Sequence, residues 1–166
     1  MYKRALIILI ALFVVIAAVL ICVIPRLTAV NVVLSAAKYN EKGEALDAPE
    51  ITIRGDHLDY LFGADALDIH IAPFDDLSEF AINSKIQTKP GTEICYVLSS
   101  ASNAATGDVA FFEIGFSPDM DRWAIVNITD RVYYVGSDSG EYTPRELVEY
   151  FKPLIPGSWI ADSAEP

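Results

Sequence analysis

The hydrophobic rhythm of the chain changes once, near residue 27. Residues 5–24 read ALIILIALFVVIAAVLICVI, an apolar run with neither a charge nor a hydroxyl. At about 1.5 Å of rise per residue, a helix over this run reaches about 30 Å, the hydrocarbon thickness of a bilayer. Lys3 and Arg4 precede it, and Pro25 and Arg26 close it. The pattern predicts a retained transmembrane anchor over 5–24, in contact with the lipid bilayer. A cleaved leader calls for an apolar core of about 7–15 residues with a small-residue cleavage site close behind it. The first suitable pair here, Ser35 and Ala37, lies too far downstream. A lipoprotein would need small residues before its cysteine, whereas Cys22 follows Val19, Leu20 and Ile21. Lys3 and Arg4 against Arg26 place residues 1–4 in the cytoplasm and 27–156 outside the cell membrane, by the excess of basic residues on the cytoplasmic side. Residues 157–166 read as a flexible tail.

Past residue 27 the apolar run gives way to short strand-like stretches broken by turn formers. TAVNVVLSAAKY (28–39) reads as a first strand, NEKG (40–43) as a turn and EITIR (50–54) as a second strand. DHLDYLFG (56–63) reads as one helical turn or a loop. In ALDIHIA (66–72), Leu67, Ile69 and Ile71 alternate with Asp68 and His70, so the two sets point to opposite faces. EICYVLS (93–99), VAFFEIGF (109–116), WAIVNIT (123–129) and RVYYVGS (131–137) continue the series. Thr143-Pro144-Arg145-Glu146 then spells a capping box with proline at the first helical position. It opens an amphipathic helix whose stripe is Leu147, Val148, Phe151 and Leu154, stopped by Pro153 and Pro156. The expected fold is α+β: an N-terminal single transmembrane helix, then a mainly antiparallel β-meander with one C-terminal amphipathic helix on one of its faces.

Composition narrows the partners. Of 166 residues, 52% are apolar and 21% charged, with 9 Gly, 9 Pro and 2 Cys, which excludes a disordered, collagen-like or disulfide-built chain. The formal net charge is −11. All 23 acidic residues but only 9 of the 12 basic ones lie in 27–166, so that portion is more acidic still. Phosphate polymers and anionic head groups are repelled by such a surface, which argues against nucleic acid. A protein, saccharide or cation partner remains open. The scarcity of cysteine fits a bacterial envelope protein.

Two constellations are candidate sites. Asp56, Asp59, Asp65, Asp68, Asp75, Asp76 and Glu79 fall in a stretch with no Lys or Arg that also holds both histidines, His57 and His70. Mixed carboxylate and imidazole suit a cation, and Asp56, His57, Asp59, Asp68 and His70 are its candidate ligands. Asp68 and His70 share a strand face about 6.6–6.8 Å apart. No spacing matches a calcium loop or a zinc-protease motif, and a solvated strand face flanked by Asp-rich turns explains the same residues. The second constellation is a mixed aromatic and polar sheet face of Phe111, Trp123, Asn127 and Tyr133, suited to stacking on a saccharide or holding an extended peptide.

Three short matches fail on inspection. Arg54-Gly55-Asp56 spells an adhesive tripeptide and reads equally as a strand end with a turn. Ser137-Asp138-Ser139-Gly140 departs from the stretch around trypsin-like serines at its first residue. Asn127-Ile128-Thr129 is a glycosylation sequon that matters only in a eukaryotic secretory setting. No catalytic residue, resident metal or cofactor motif stands out. The expected function is a membrane-anchored extracytoplasmic binding or interaction module. The alternatives are an envelope hydrolase using carboxylate and His groups in 56–76, and an assembly protein acting through its transmembrane helix.

Overall fold

The computed structural model describes residues 2–72, 80–102 and 107–160. Helix α1 covers Tyr2–Val23, and β1 (Arg26–Ser35) begins three positions later. None of residues 6–23 is buried, so the chain has one helix long and apolar enough to span a bilayer that the described β structure does not cover.

The strands that follow are β2 (Ala37–Asn40), β3 (Glu50–Asp59), β4 (Ala66–Ala72), β5 (Phe80–Lys85), β6 (Gln87–Thr88), β7 (Cys95–Ser102), β8 (Val109–Phe116), β9 (Arg122–Asn127) and β10 (Val132–Ser137). All pairings among them are antiparallel. They form a four-stranded sheet, ordered β1-β3-β4-β5, and a six-stranded sheet, ordered β2-β10-β9-β8-β7-β6. The chain changes sheets at two corners: at Ala36 between β1 and β2, and at Ile86 between β5 and β6. Taking β1 with β2, and β5 with β6, as single strands bent at these corners, each strand pairs with the next along the chain, and β10 returns to pair with β2. The meander is closed into a ring flattened as two layers, which leaves little unpaired edge.

Alternation explains the space between the layers. Val32, Leu34, Ile51, Ile53, Leu67, Ile69, Ile71, Phe80 and Ile82 face inward from the first sheet. Val97, Phe112, Ile114, Phe116, Trp123, Ile125 and Tyr134 meet them from the second. Each fully buried aliphatic or aromatic side chain here contributes about 1.5–3 kcal/mol of transfer free energy. Helix α2 (Pro144–Phe151) lies on the far side of the six-stranded sheet, where Leu147, Phe151, Leu154, Ile155 and Trp159 cover Ala124, Val126, Tyr133 and Val135. Its expected start is present in full: the Thr143 hydroxyl accepts from the Glu146 N–H, and the Glu146 carboxylate accepts from the Thr143 N–H at 2.8 Å. Donation from the Thr143 N–H and from the Thr143 hydroxyl holds the Glu146 carboxyl below the usual carboxylate range.

The α+β antiparallel expectation holds, and several details within it change. The segment 56–63 is not a helical turn, because 56–59 continues β3 in register with β1 and β4. Gly55 accordingly lies in mid-strand, not at a strand end. Its φ is +149°, and a Cβ there would run into the backbone of Asp68 and Ile69 on β4. The expected first strand bends at Ala36 and serves both sheets. Strands β5 and β6 complete the ring in a stretch with no expected element. Within the expected tail, Trp159 is buried against α2 and the six-stranded sheet at 9% exposure, with Ile160 half-buried beside it. Asp75, Asp76 and Glu79 lie outside the described residues, as do 103–106 and 161–166.

Candidate functional site

The outer face of the four-stranded sheet carries the acidic and imidazole groups, and strand register decides which of them meet. Asp56 pairs with Asp68 and Arg54 with His70, so these four side chains form two adjacent rows on one face. Asn83 of β5 extends the first row beyond Asp68, and Asn31 of β1 extends the second beyond Arg54. Directly opposed residues on such a face have Cβ atoms about 4.5–5.5 Å apart, and facing carboxylates repel. Arg54 is the cation of the neighbouring row.

His57 and Asp59 do not join the group. They alternate to the other side of β3, where His57 lies opposite Leu67 and Asp59 ends the strand opposite Arg26. The five candidate ligands are thus divided between two faces. Among the described residues, no three His, Cys, Asp or Glu side chains converge closely enough to hold an ion. Spacing along one strand gave the Asp68–His70 pair its shared face; a period of two also sends neighbours such as Asp56 and His57 apart.

His57 has a different partner. Its Nε2 is buried without a hydrogen bond and lies 3.6 Å from Asp65 Oδ2, an ion-pair distance once the imidazole is protonated. Asp65 also closes the loop between β3 and β4. Its Oδ1 accepts the Tyr60 N–H at 3.1 Å, and its carbonyl accepts the Ile86 N–H at 2.7 Å. Beside this loop is an open cleft of ≈ 550 Å³, lined by Tyr60, Phe62, Gly63, Ala64 and Ala66 with Asn83, Ser84 and Lys85 of β5. Tyr60, Asn83, Ser84 and Lys85 were not candidates from the sequence. The available signal was the Phe80/Ile82/Ser84 alternation, which would have set β5 against β4.

The four residues of the expected aromatic face are likewise separated. Register places Phe112 opposite Asn127 and Phe116 opposite Trp123, with both pairs facing the interior between the sheets. Trp123 is fully buried there, 5.1 Å from the Phe116 ring, and its Nε1–H donates to the Met120 carbonyl at 2.7 Å. Asn127 is buried and structures the β9–β10 turn: its Nδ2 donates to Asp130 Oδ2 at 2.7 Å and its Oδ1 accepts the Asp130 N–H at 3.0 Å. Tyr133 points to the helix side, is 2% exposed and stacks on Tyr39 at 5.1 Å. Burial, with Tyr39 adding to it, pushes the Tyr133 hydroxyl up to about 12. Phe111 shares that side and is the only one of the four that is exposed. Alternation fixes parity within a strand, but only cross-strand register assembles a face, and over β9 and β10 both faces are covered.

The helix side has its own polar fastening. The Arg122 guanidinium sits 4.0 Å from the centre of the Tyr150 ring and 5.0 Å from that of Tyr142, and its Nε donates to Asp121 at 3.1 Å. This arrangement ties the start of β9 to α2 by cation–π contact and a charge-assisted bond. It serves the fold, whereas the outer rows and the cleft face solvent.

Comparison with protein families, with curated proteins and with solved structures finds no match to this chain.

Proposed function

We propose that this chain is a membrane-anchored extracytoplasmic binding module of a cell envelope, acting without catalysis. The observation that carries the reading is the stretch Leu6–Val23 of α1, apolar and unburied, joined to a fully formed β structure by Ile24 and Pro25 alone. An uncovered apolar helix of that length costs far too much in water and is stable in lipid. Lys3 and Arg4 ahead of it keep the N-terminus cytoplasmic, so the acidic β structure stands in the medium. Its charge turns it away from anionic polymers and suits a cationic, saccharide or protein partner. The surfaces available for that partner are the rows of Arg54, Asp56, Asp68 and His70 and the cleft beside Tyr60 and Lys85. A hydrolase built on both histidines finds no support in this arrangement, since His57 and His70 lie on opposite faces of their sheet.

Protease added to intact cells that display the full chain tests the topology, and crosslinking on the same cells tests the interaction. The reading expects digestion of the β structure before lysis and a reproducible crosslinked neighbour. Digestion only after lysis reverses the orientation, and absence of any crosslinked species removes the interaction role.

A further inference from the structure

The β3–β4 loop combines an unusual surface with an unusual place. From Tyr60 to Ala64 it carries no charge, and Leu61 and Phe62 are 56% and 72% exposed. Among the described residues none buries these two side chains. A Cβ added at Gly63, whose φ is +130°, would meet nothing within 4 Å, so the tip stands in open space. Its base, by contrast, is clamped by the bonds from Tyr60 and Ile86 to Asp65. The place follows from register. Asp59, the last residue of β3, pairs with Arg26, the first residue of β1, and α1 ends at Val23. The loop therefore begins at the level where the chain leaves the apolar helix.

We propose that Leu61 and Phe62 enter the interfacial layer of the bilayer that holds α1, making the lipid surface a second contact of this chain. The proposal rests on the anchored reading above. An aromatic and an aliphatic side chain on an uncharged tip match the chemistry of the headgroup–acyl boundary, with Tyr60 at the polar edge. Asp59 and Asp65 at the two ends of the loop limit its depth, because carboxylates stay in water. The tether is only two residues long, so α1 holds the tip at high local concentration, and even a weak insertion is occupied. The consequence is orientation: with two contacts the β structure cannot rotate freely about its stalk. The distal turn that carries the Arg131–Glu41 ion pair is then presented to the medium.

The test uses the full chain in phosphatidylcholine vesicles, with Cys22→Ser and Cys95→Ser and one environment-sensitive fluorophore per protein. The fluorophore is placed at Phe62→Cys, at Phe13→Cys within the apolar helix, or at Lys42→Cys on the distal turn. Lipids carrying a nitroxide near the headgroup, or deep in the acyl chain, serve as quenchers. The proposal expects emission at position 62 to be blue-shifted relative to position 42 and mostly lost to the shallow quencher, with position 42 unquenched. Quenching at 13 by the deep nitroxide without quenching at 62 overturns the loop insertion and leaves the anchor standing. Quenching at neither position overturns both. A second preparation with Leu61→Ser and the label retained at Phe62→Cys should lose part of the blue shift, and an unchanged shift there counts against the tip as the cause.

Discussion

The two sheets share one core and differ on their outer faces. In the four-stranded sheet, β4 alternates between buried and exposed positions along its length, and its outer face carries Asp68 and His70 beside Arg54 and Asp56. In the six-stranded sheet, β9 and β10 are buried at almost every position, because α2 and Trp159 cover the side that the other sheet does not. A strand wet on one face reads as clean alternation, whereas one buried on both reads as a continuous apolar run. The difference lies in whether a third layer is present. The aromatic residues that looked available for binding belong to the doubly covered sheet, and the groups with solvent-facing chemistry belong to the other.

Breaking the third layer should have the largest effect. Phe151→Ala removes a fully buried ring between α2 and the six-stranded sheet and is expected to destabilise the fold by about 3–5 kcal/mol. Urea unfolding of the detergent-solubilised chain, followed by tryptophan fluorescence, reads this directly. The same layer should also fail in alkali. Tyr133 has its ionisation raised from 10.0 to about 12, so its neutral form is favoured in the folded state. Its contribution is complete below pH 10 and is lost as pH rises from there toward 12. Unfolding midpoints that fall in this window for the parent chain, and less steeply for Tyr133→Phe, check the assignment.

Much of the fold is legible in the residues, for reasons that differ by element. The apolar run 5–24, the alternation in 66–72 and the capping box at Thr143 are local signals, and each yields its element. The bend at Ala36 and the Ile86 corner are not local, because a strand that leaves one sheet for another keeps the same period of two. The signal of β5 is short and adjoins an acidic stretch, although Phe80 and Ile82 alternate as inward residues do. The candidate sites were less legible than the fold. Asp56 and Asp68 are twelve positions apart and meet only through register, while His57 and Asp65 meet through a loop whose closure depends on a hydrogen bond to Ile86.

On the four-stranded sheet the expected effects are smaller and separate backbone from surface. Gly55→Ala forces a side chain into the backbone of β4 at a positive φ and should cost more than about 1 kcal/mol. Asp68→Asn on the wet face removes one of two facing carboxylates and should shift stability by no more than about 0.5 kcal/mol. The two denaturation curves, read beside that of Phe151→Ala, order the three sites. A cost at Asp68 as large as at Phe151 would erase the distinction between wet and covered faces.

The most direct measurement is the intact mass of the mature chain recovered from carbonate-washed membranes. The anchored account predicts a membrane-retained species that includes residues 5–24. A species starting downstream of Pro25 and recovered in the soluble fraction would contradict it.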